Sequence, residues 1–279
     1  MRNTLDGRSA VSLAEASLGS NSTGGPLKVL AVIGSPRQGH SYELVRRIEQ
    51  LLRQDRDVTV DYVPLADVPL EQCRGCYVCQ SQGEQHCPLK DDLGVLIARM
   101  KQADGVILVS PAYTGNVTAL MKNLMDRMAW AAHRPPFIGK PAMLVSTASM
   151  QTGDTLRALS WFGYTGFDIV AKIGRPVWPS RRRAWRLSGA DERELHRAVN
   201  RLTRAMSRPA HSLSPRHVLQ FYVSKTTPVT DPEFFRADDE YHRDVDALGY
   251  NVAPWKKVFG EIAYRVLTVW LGRQLGTKE

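Results

Sequence analysis

Five apolar stretches alternate with helical stretches along the chain, and this alternation constrains the fold more than any other feature. Residues 27–33 form a continuous apolar run, as expected of a strand buried on both faces. The other predicted strands are 58–65, 105–109, 141–147 and 168–173. Helices are predicted at 42–53, 92–103, 118–132, 155–163 and 190–207. Strands that alternate with helices imply right-handed crossovers and an α/β fold, a doubly wound five-stranded parallel sheet covered on both faces.

The chain divides into three parts around this pattern. Residues 1–26 are Ser/Gly-rich and predict a flexible tail, without the apolar stretch of a secretory signal. Residues 27–208 hold the alternation, with an insert at 70–90, and residues 209–279 predict a mostly helical extension that is first loop-rich. No apolar run approaches the roughly 20 residues of a membrane span, so we expect a cytoplasmic protein. The last helix, 255–275, is expected to pack on its own domain or on a subunit partner rather than on a membrane.

Ligands of open parallel sheets bind beyond the carboxyl ends of the strands, which points to the loop at 34–41. This loop nearly matches the phosphate loop of nucleotide triphosphatases, but His40 stands where the lysine is needed. The dinucleotide pattern G-x-G-x-x-G is absent too. Ser35, Arg37 and Ser41 at a helix N-terminus suit a single terminal phosphate. The alternative is a plain strand-to-helix turn.

All four cysteines of the chain lie in one short segment, in the pattern C-x2-C-x2-C-x7-C followed by Pro88. They are Cys73, Cys76, Cys79 and Cys87. The pattern is similar to the cluster-binding run of bacterial ferredoxins and favours a 4Fe-4S cluster. A zinc site, disulfides and reduced cysteines without a metal remain open alternatives.

Four segments in this order resemble the iron-sulfur flavoprotein branch of the flavodoxin-like NAD(P)H-dependent FMN oxidoreductases. They are GSPRQGHSY at 34–42, CRGCYVCQSQGEQHCPLKDDL at 73–93, ADGVILVSPAYTGNVTALMKNLMDR at 103–127 and KPAMLVSTASMQTGDT at 140–155. The resemblance implies a flavodoxin-like sheet of order 2-1-3-4-5, an FMN cofactor, and a homodimer or homotetramer. Ser41 and Tyr42 depart from the family pattern, and the family's compact members lack residues after 208.

The resemblance also implies which residues bind the cofactors, while it names no catalytic residue. The FMN phosphate would be held by Ser35, Arg37, Gly39, His40, Ser41 and Tyr42. The flavin would be lined by Pro111, Ala112, Tyr113, Thr114, Gly115 and Asn116, and covered by Ser149, Met150, Gln151, Thr152 and Gly153. An Asp at 91 or 92 would cap the helix that follows the cysteines. His86 and His133 are acid/base candidates only by their position in the chain.

The implied function is an FMN-dependent oxidoreductase that passes electrons between NAD(P)H or a ferredoxin, FMN, a 4Fe-4S cluster and a small acceptor such as a quinone. In this chemistry the protein positions the flavin and tunes its electronics. The alternative is an electron carrier or redox-responsive flavoprotein without a substrate of its own.

The net charge of +9 belongs almost wholly to residues 171–225, which hold 13 Lys and Arg against 3 Asp and Glu. Four arginines fall on one face of the predicted helix 190–207, at 193, 197, 201 and 204, and three more follow one another at 181–183. No nucleic-acid-binding motif accompanies this charge, which argues against nucleic acid as the partner. The remaining interpretations are a solvated face, a docking surface for an acidic electron carrier such as a ferredoxin, or a clamp for the 2′-phosphate of NADPH.

Overall fold

The computed structural model describes residues 25–178, 187–208, 214–242 and 252–275. Its sheet contains strands β1 Leu27–Ile33, β2 Val58–Pro64, β3 Gly105–Pro111, β4 Pro141–Ala148 and β5 Asp168–Pro176. The order is β2-β1-β3-β4-β5 and every neighbouring pair is parallel. The predicted fold class and strand order are therefore confirmed.

Helices connect the strands and continue beyond the sheet. They are α1 His40–Asp55, α2 Val78–Ser81, α3 Leu93–Gln102, α4 Ala119–Arg127, α5 Gly153–Leu159, α6 Gly189–Met206, α7 Pro215–Ser224, α8 Thr227–Thr230, α9 Arg236–Tyr241 and α10 Pro254–Leu275. The helix predicted at 118–132 is not continuous, because the chain tightens after Arg127 into a 3-10 turn at Ala129–Ala132. Such tightening is common where an α-helix ends.

Successive side chains of the central strands point to opposite faces of the sheet, and both faces are buried. Leu30 and Val32 pack on the side of α3 and α4, while Ala31 and Ile33 pack on the side of α1 and α6. This two-sided burial explains why the strands have no polar alternation. It also leaves the carboxyl ends of all five strands at one edge, where their loops meet.

The extension is more helical than its prolines suggest. Pro215 occupies the first turn of α7, where its missing N–H costs nothing, and the Ser214 side chain caps the helix by accepting the His217 N–H. Val218, Phe221 and Tyr222 form a small core with the neighbouring α10 and with Ile138 of the sheet domain. Among the described helices, none has the length and apolar character needed to cross a bilayer. The tail predicted at 1–26 lies almost wholly outside the described residues.

Candidate cofactor site at the carboxyl edge of the sheet

The loop after β1 is held against the start of α4 by neutral hydrogen bonds. The Gly34 N–H donates to the Val109 carbonyl at 2.8 Å, and the Gly34 carbonyl accepts the Thr118 hydroxyl at 2.6 Å. A Cβ at Gly34 would lie 2.9 Å from the Cβ of Met121, so a side chain would push the loop away from α4. Thr118 also caps α4 by accepting the Met121 N–H.

The six predicted phosphate residues lie in two environments. Arg37 is exposed, and Gly39 precedes α1 without a side-chain cap. His40 bridges Glu43, at 2.9 Å, and the Trp178 carbonyl, at 3.0 Å. The buried members are Ser35, whose hydroxyl donates to the Arg37 carbonyl at 2.7 Å, Ser41 and Tyr42.

Two of the buried side chains are already engaged within the protein. The Ser41 hydroxyl hydrogen-bonds the Thr147 hydroxyl at the end of β4, 2.8 Å away. Tyr42 packs in the core between α1 and the sheet, where burial, and then the charge of Asp67, raises the pKa of its phenol. These two residues therefore tie α1 to the sheet, and the open face of the loop is formed by Arg37 and its neighbours.

The loop after β3 turns sharply just beyond Pro111. The N–H groups of Tyr113 and Asn116 each donate to the other residue's carbonyl, at 2.9 and 3.1 Å. Thr114 and Gly115 between them have φ values of 52° and 74°, as in the two-residue turns that favour Gly at the second position. Tyr113 is 42% exposed, so this ring belongs to the surface of the site and not to the core.

The loop after β4 is the most exposed of the three. Met150 is 82% exposed, and Ser149, Gln151 and Gly153 are exposed as well. Thr152 packs against β5, where a Cβ at Gly174 would lie 2.1 Å from the Thr152 hydroxyl.

Hydrogen bonds join these three loops at one edge of the sheet. Thr118 connects the first to the second, and the Thr147 backbone carbonyl accepts the Ala112 N–H at 2.8 Å. Because Thr147 also bonds Ser41, β4 contacts both of the other loops. The arrangement is an open, polar surface at the place where such sheets bind ligands.

The four cysteines line a single pocket in the long segment between β2 and α3. All four are free. Burial, and then the negative charge of the other three cysteines, raises the pKa of Cys79. Within the described residues no three His, Cys, Asp or Glu side chains have the geometry to hold one metal ion. A cubane is larger than an ion and takes more widely spaced sulfurs, so a donor set of four thiols in one pocket fits it.

A buried arginine on α4 fixes this segment to the sheet domain. Arg127 makes two hydrogen bonds to Asp91, and the two side chains are 2% and 5% exposed. Its guanidinium also donates to the Glu71 carbonyl at 2.8 Å and lies 4.0 Å from the Cys87 sulfur. Burial opposes both charges, but the hydrogen bonds between them lower the pKa of Asp91 and raise that of Arg127.

The prediction that Asp91 or Asp92 caps α3 is met by the two residues together. Asp92 stands at the capping position, yet its side chain accepts no N–H there. Asp91 accepts the Leu93 N–H at 3.2 Å while it pairs with Arg127.

A second buried arginine connects the cysteine segment to the extension. Arg134 donates to the Cys79 carbonyl, to Glu84 at 3.2 Å, and to Asp238 of α9, which is fully buried. Aromatic contacts accompany it, since the rings of Tyr77 and Phe234 lie 5.8 Å apart. The extension thus packs directly on the cysteine segment.

The two histidine candidates have different surroundings. His86 is exposed. His133 lies 3.1 Å from Asp238 and stacks on Phe235 with ring centres 5.5 Å apart, so it belongs to the contact with the extension.

Sequence reasoning missed Asn123, Arg127, Arg134 and Asp238 as site residues. Asn123, whose side chain accepts the Cys73 N–H at 3.0 Å, lies four residues before Arg127 on α4. Two polar residues at that spacing on one helix face are a usable signal. Arg134 and Asp238 carry no such signal, because the pair forms between distant parts of the chain.

The arginines of α6 form an exposed basic face. Arg193, Arg197, Arg201 and Arg204 are all exposed, whereas the acidic residues at the start of α6 are paired. Glu192 bonds Arg47 at 2.9 Å and Glu194 bonds Arg175 at 3.0 Å. The arginines at 181–183 lie outside the described residues.

Comparisons with known proteins agree with this geometry. Residues 27–162 match the sequence family described as NADPH-dependent FMN reductase. An iron-sulfur flavoprotein of Methanocaldococcus jannaschii is 40% identical over 102 residues, 36% of this chain and 51% of that protein. A quinone reductase of Escherichia coli is 32% identical over 127 residues, 44% of this chain and 61% of that protein.

The chain spans about half the length of the first of these curated relatives. The crystal structure of RosB with a bound 8-demethyl-8-formylriboflavin-5′-phosphate intermediate is similar with a TM-score of 0.51 and 13% identity, over 64% of this chain and 79% of that one. At that identity the likeness concerns the fold alone. The predicted resemblance to the iron-sulfur flavoproteins and the NADPH-dependent FMN reductases is confirmed by the sequence matches.

Proposed function

We propose that this chain, whose residues 27–162 match the NADPH-dependent FMN reductases, is an FMN-dependent oxidoreductase of the iron-sulfur flavoprotein type. It would accept electrons from NAD(P)H or a ferredoxin and deliver them to a small-molecule acceptor such as a quinone. The observation that carries the proposal is that one helix, α4, connects the loop after β1 to the cysteine segment. Thr118, which caps α4, bonds the loop after β1, and the helix contacts the cysteine segment through Asn123 and Arg127.

The two residues of α4 that make these contacts are near each other along the helix. From Thr118 to Asn123 the helix rises only about 8 Å. When bound, FMN supplies two-electron chemistry with NAD(P)H and a 4Fe-4S cluster supplies single-electron transfer. The protein's part would be to hold both groups, one through the loop that Thr118 bonds and one through the segment that Asn123 and Arg127 contact, and to shield them from water.

The FMN phosphate is assigned to the loop after β1. Arg37 extends from its exposed side, and α1 directs the positive end of its dipole at the same place. His40 is oriented by Glu43 and the Trp178 carbonyl. A phosphate dianion here gains charge and backbone N–H donors without a metal ion.

The flavin ring is assigned to the two remaining loops. The turn from Tyr113 to Asn116 presents an exposed aromatic ring, and its tight backbone at Thr114 and Gly115 leaves room beside it. Met150, almost fully exposed in the loop after β4, would lose its exposure against the ring and exclude water from it.

The cysteine pocket is assigned to the cluster. Thiolate ligands carry negative charge, and two buried guanidinium groups stand beside them, Arg127 near Cys87 and Arg134 at the Cys79 carbonyl. Such neighbours orient the ligands and offset their charge. Because thiolate ligands must stay reduced, the reducing cytoplasm is the proposed compartment.

The partners are proposed from the resemblance and the charge. A homodimer or homotetramer is the assembly that the resemblance implies. The exposed arginines of α6 suit an acidic electron carrier such as a ferredoxin, which they would attract through long-range charge.

The test is anaerobic purification followed by cofactor analysis and turnover. We expect about one FMN and about four iron atoms per chain, and steady NAD(P)H oxidation with a quinone or ferricyanide. Flavin without iron would contradict the cluster, and zinc analysis would then decide between a zinc site and free thiols. Loaded protein that oxidises neither NADH nor NADPH and reduces no acceptor would establish the electron carrier instead.

A further inference from the structure

One face of α10 is a continuous exposed apolar stripe. Its members are Trp255, Val258, Phe259, Ile262, Val266, Val269 and Trp270, and each is 52–63% exposed. Their spacing of one, three or four residues places them along one side of the helix. None of them contributes to the proposed redox site.

The opposite face of the same helix is already buried. A Cβ at Gly260 would lie against the ring of Tyr222, so this side chain of α7 packs directly on the α10 backbone there. Tyr264 packs against the same small core, and the Lys225 ammonium lies 4.9 Å from its ring. α10 is therefore apolar on two sides, which is typical of a helix buried on both.

The stripe is large enough for a stable interface. Seven large apolar residues at these exposures present on the order of 800 Å², about what each partner buries in an interface of standard size. The largest apolar patch of a typical monomer is smaller, about 300–600 Å².

We propose that the stripe is a self-association surface, on which α10 pairs antiparallel with α10 of a second copy of this chain. The stripe is symmetric about residue 264, as a two-fold interface requires. Antiparallel pairing centred there places Ile262 against Val266 of the second copy, Phe259 against Val269 and Val258 against Trp270.

The same register also accounts for a charged residue that follows the stripe at its C-terminal end. Arg273 is exposed on the same face, and the pairing sets it opposite Trp255 of the second copy. A guanidinium over an indole ring is a favourable contact. The opposed helix dipoles of an antiparallel pair also attract each other.

A membrane surface fits the helix less well. Interfacial helices keep a strongly charged face in water opposite their apolar face. In α10 the side opposite the stripe packs on α7, and Arg265 at the flank is paired with Glu261.

The test measures the mass of the full chain in solution by light scattering. Val266→Asp places two buried carboxylates at the centre of the interface, one from each copy. We therefore expect the dissociation constant to rise about a thousandfold and the measured mass to halve. Val95→Asp is the matched control, because Val95 is a valine of similar exposure, 59%, on α3. Unchanged circular dichroism shows that both variants fold.

Charge pairing tests the register. Ile262→Lys and Val266→Glu should each weaken association alone, and mixing the two variants should restore it through one Lys–Glu contact between copies. The proposal is overturned if Val266→Asp leaves the mass unchanged, if Val95→Asp lowers it equally, or if mixing restores nothing. Phosphatidylglycerol vesicles that bind the wild type and not Val266→Asp, with no change in mass, would identify a membrane as the occupant instead.

Discussion

The two loops assigned to cofactors are held in different ways. The short loop after β1 is fixed by neutral hydrogen bonds from Thr118, Val109 and its own backbone. The much longer cysteine segment has little regular structure and is fixed by two buried arginines. Arg127 pairs with Asp91 of the same segment, and Arg134 pairs with Asp238 of the extension.

The difference follows from how much backbone each loop must order. A short loop is positioned by the strand before it and the helix after it. A few hydrogen bonds of about 1 kcal/mol each are therefore enough to fix its conformation. A long segment loses more conformational entropy when it becomes ordered. Its backbone N–H and C=O groups also lie too far from the strands to hydrogen-bond to them. Each of the two arginines donates to one backbone carbonyl of the segment and also to a buried carboxylate, but removing one partner of a buried ion pair is costly.

The largest effect is expected at Arg127. Arg127→Met leaves Asp91 buried without a counter-charge, which should lower the free energy of unfolding by about 3–5 kcal/mol. Iron content should fall as well, because Glu71 and the Cys87 sulfur lose the same guanidinium. Urea unfolding and iron analysis measure the two effects.

Lys122→Met is the matched control on the same helix. Lys122 pairs with Asp126, but the two side chains are 57% and 44% exposed, so the loss should stay below about 1 kcal/mol and iron should be retained. Equal losses in the two variants would mean that burial does not distinguish the two pairs.

The sheet and the first loop could be predicted from the sequence because their signals are local. The run 27–33 becomes β1 with the same bounds, and Gly34 follows it where the loop meets α4. Strand order came from the family resemblance and not from the residues. Apolar runs and turn residues act within a few positions of the structure that they determine.

The anchoring of the cysteine segment could not be predicted because its determinants are distant. The spacing of the cysteines identified the pocket, yet Arg134 meets Asp238 across more than a hundred residues. The prolines of the extension suggested loops, whereas Pro215 begins a helix. Long-range pairs of this kind leave no periodic trace in a single sequence.

The pH dependence of stability tests the same comparison, because low pH acts where the extension contacts the cysteine segment. Burial lowers the pKa of His242 to about 4, opposed by the charge of Asp238 and by a hydrogen bond to the His133 backbone, and supported by the charge of Arg134. The neutral ring is favoured in the folded state, so stability is complete above about pH 6.5 and falls as the pH drops toward 4. The loss should reach about 2 kcal/mol at about pH 5.

Thermal unfolding between about pH 7 and pH 5 checks this expectation. His242→Leu should flatten the dependence, whereas His196→Leu, at an exposed position of α6, should leave it unchanged. A dependence that survives in His242→Leu would assign the acid sensitivity to other groups.

The smallest loss of stability is expected when the neutral hydrogen bond between Ser41 and Thr147, next to the loop after β1, is removed. Ser41→Ala and Thr147→Val each leave the other hydroxyl buried, so each should cost about 1–2 kcal/mol. The double variant removes both groups and should cost less than the sum of the singles, since no orphaned hydroxyl remains. Unfolding of the four proteins in urea gives the coupling. Additive losses would mean that the two hydroxyls do not stabilise each other, and the contrast with the arginine-held segment would then rest on the hydrogen bonds of Gly34 with Thr118 and Val109.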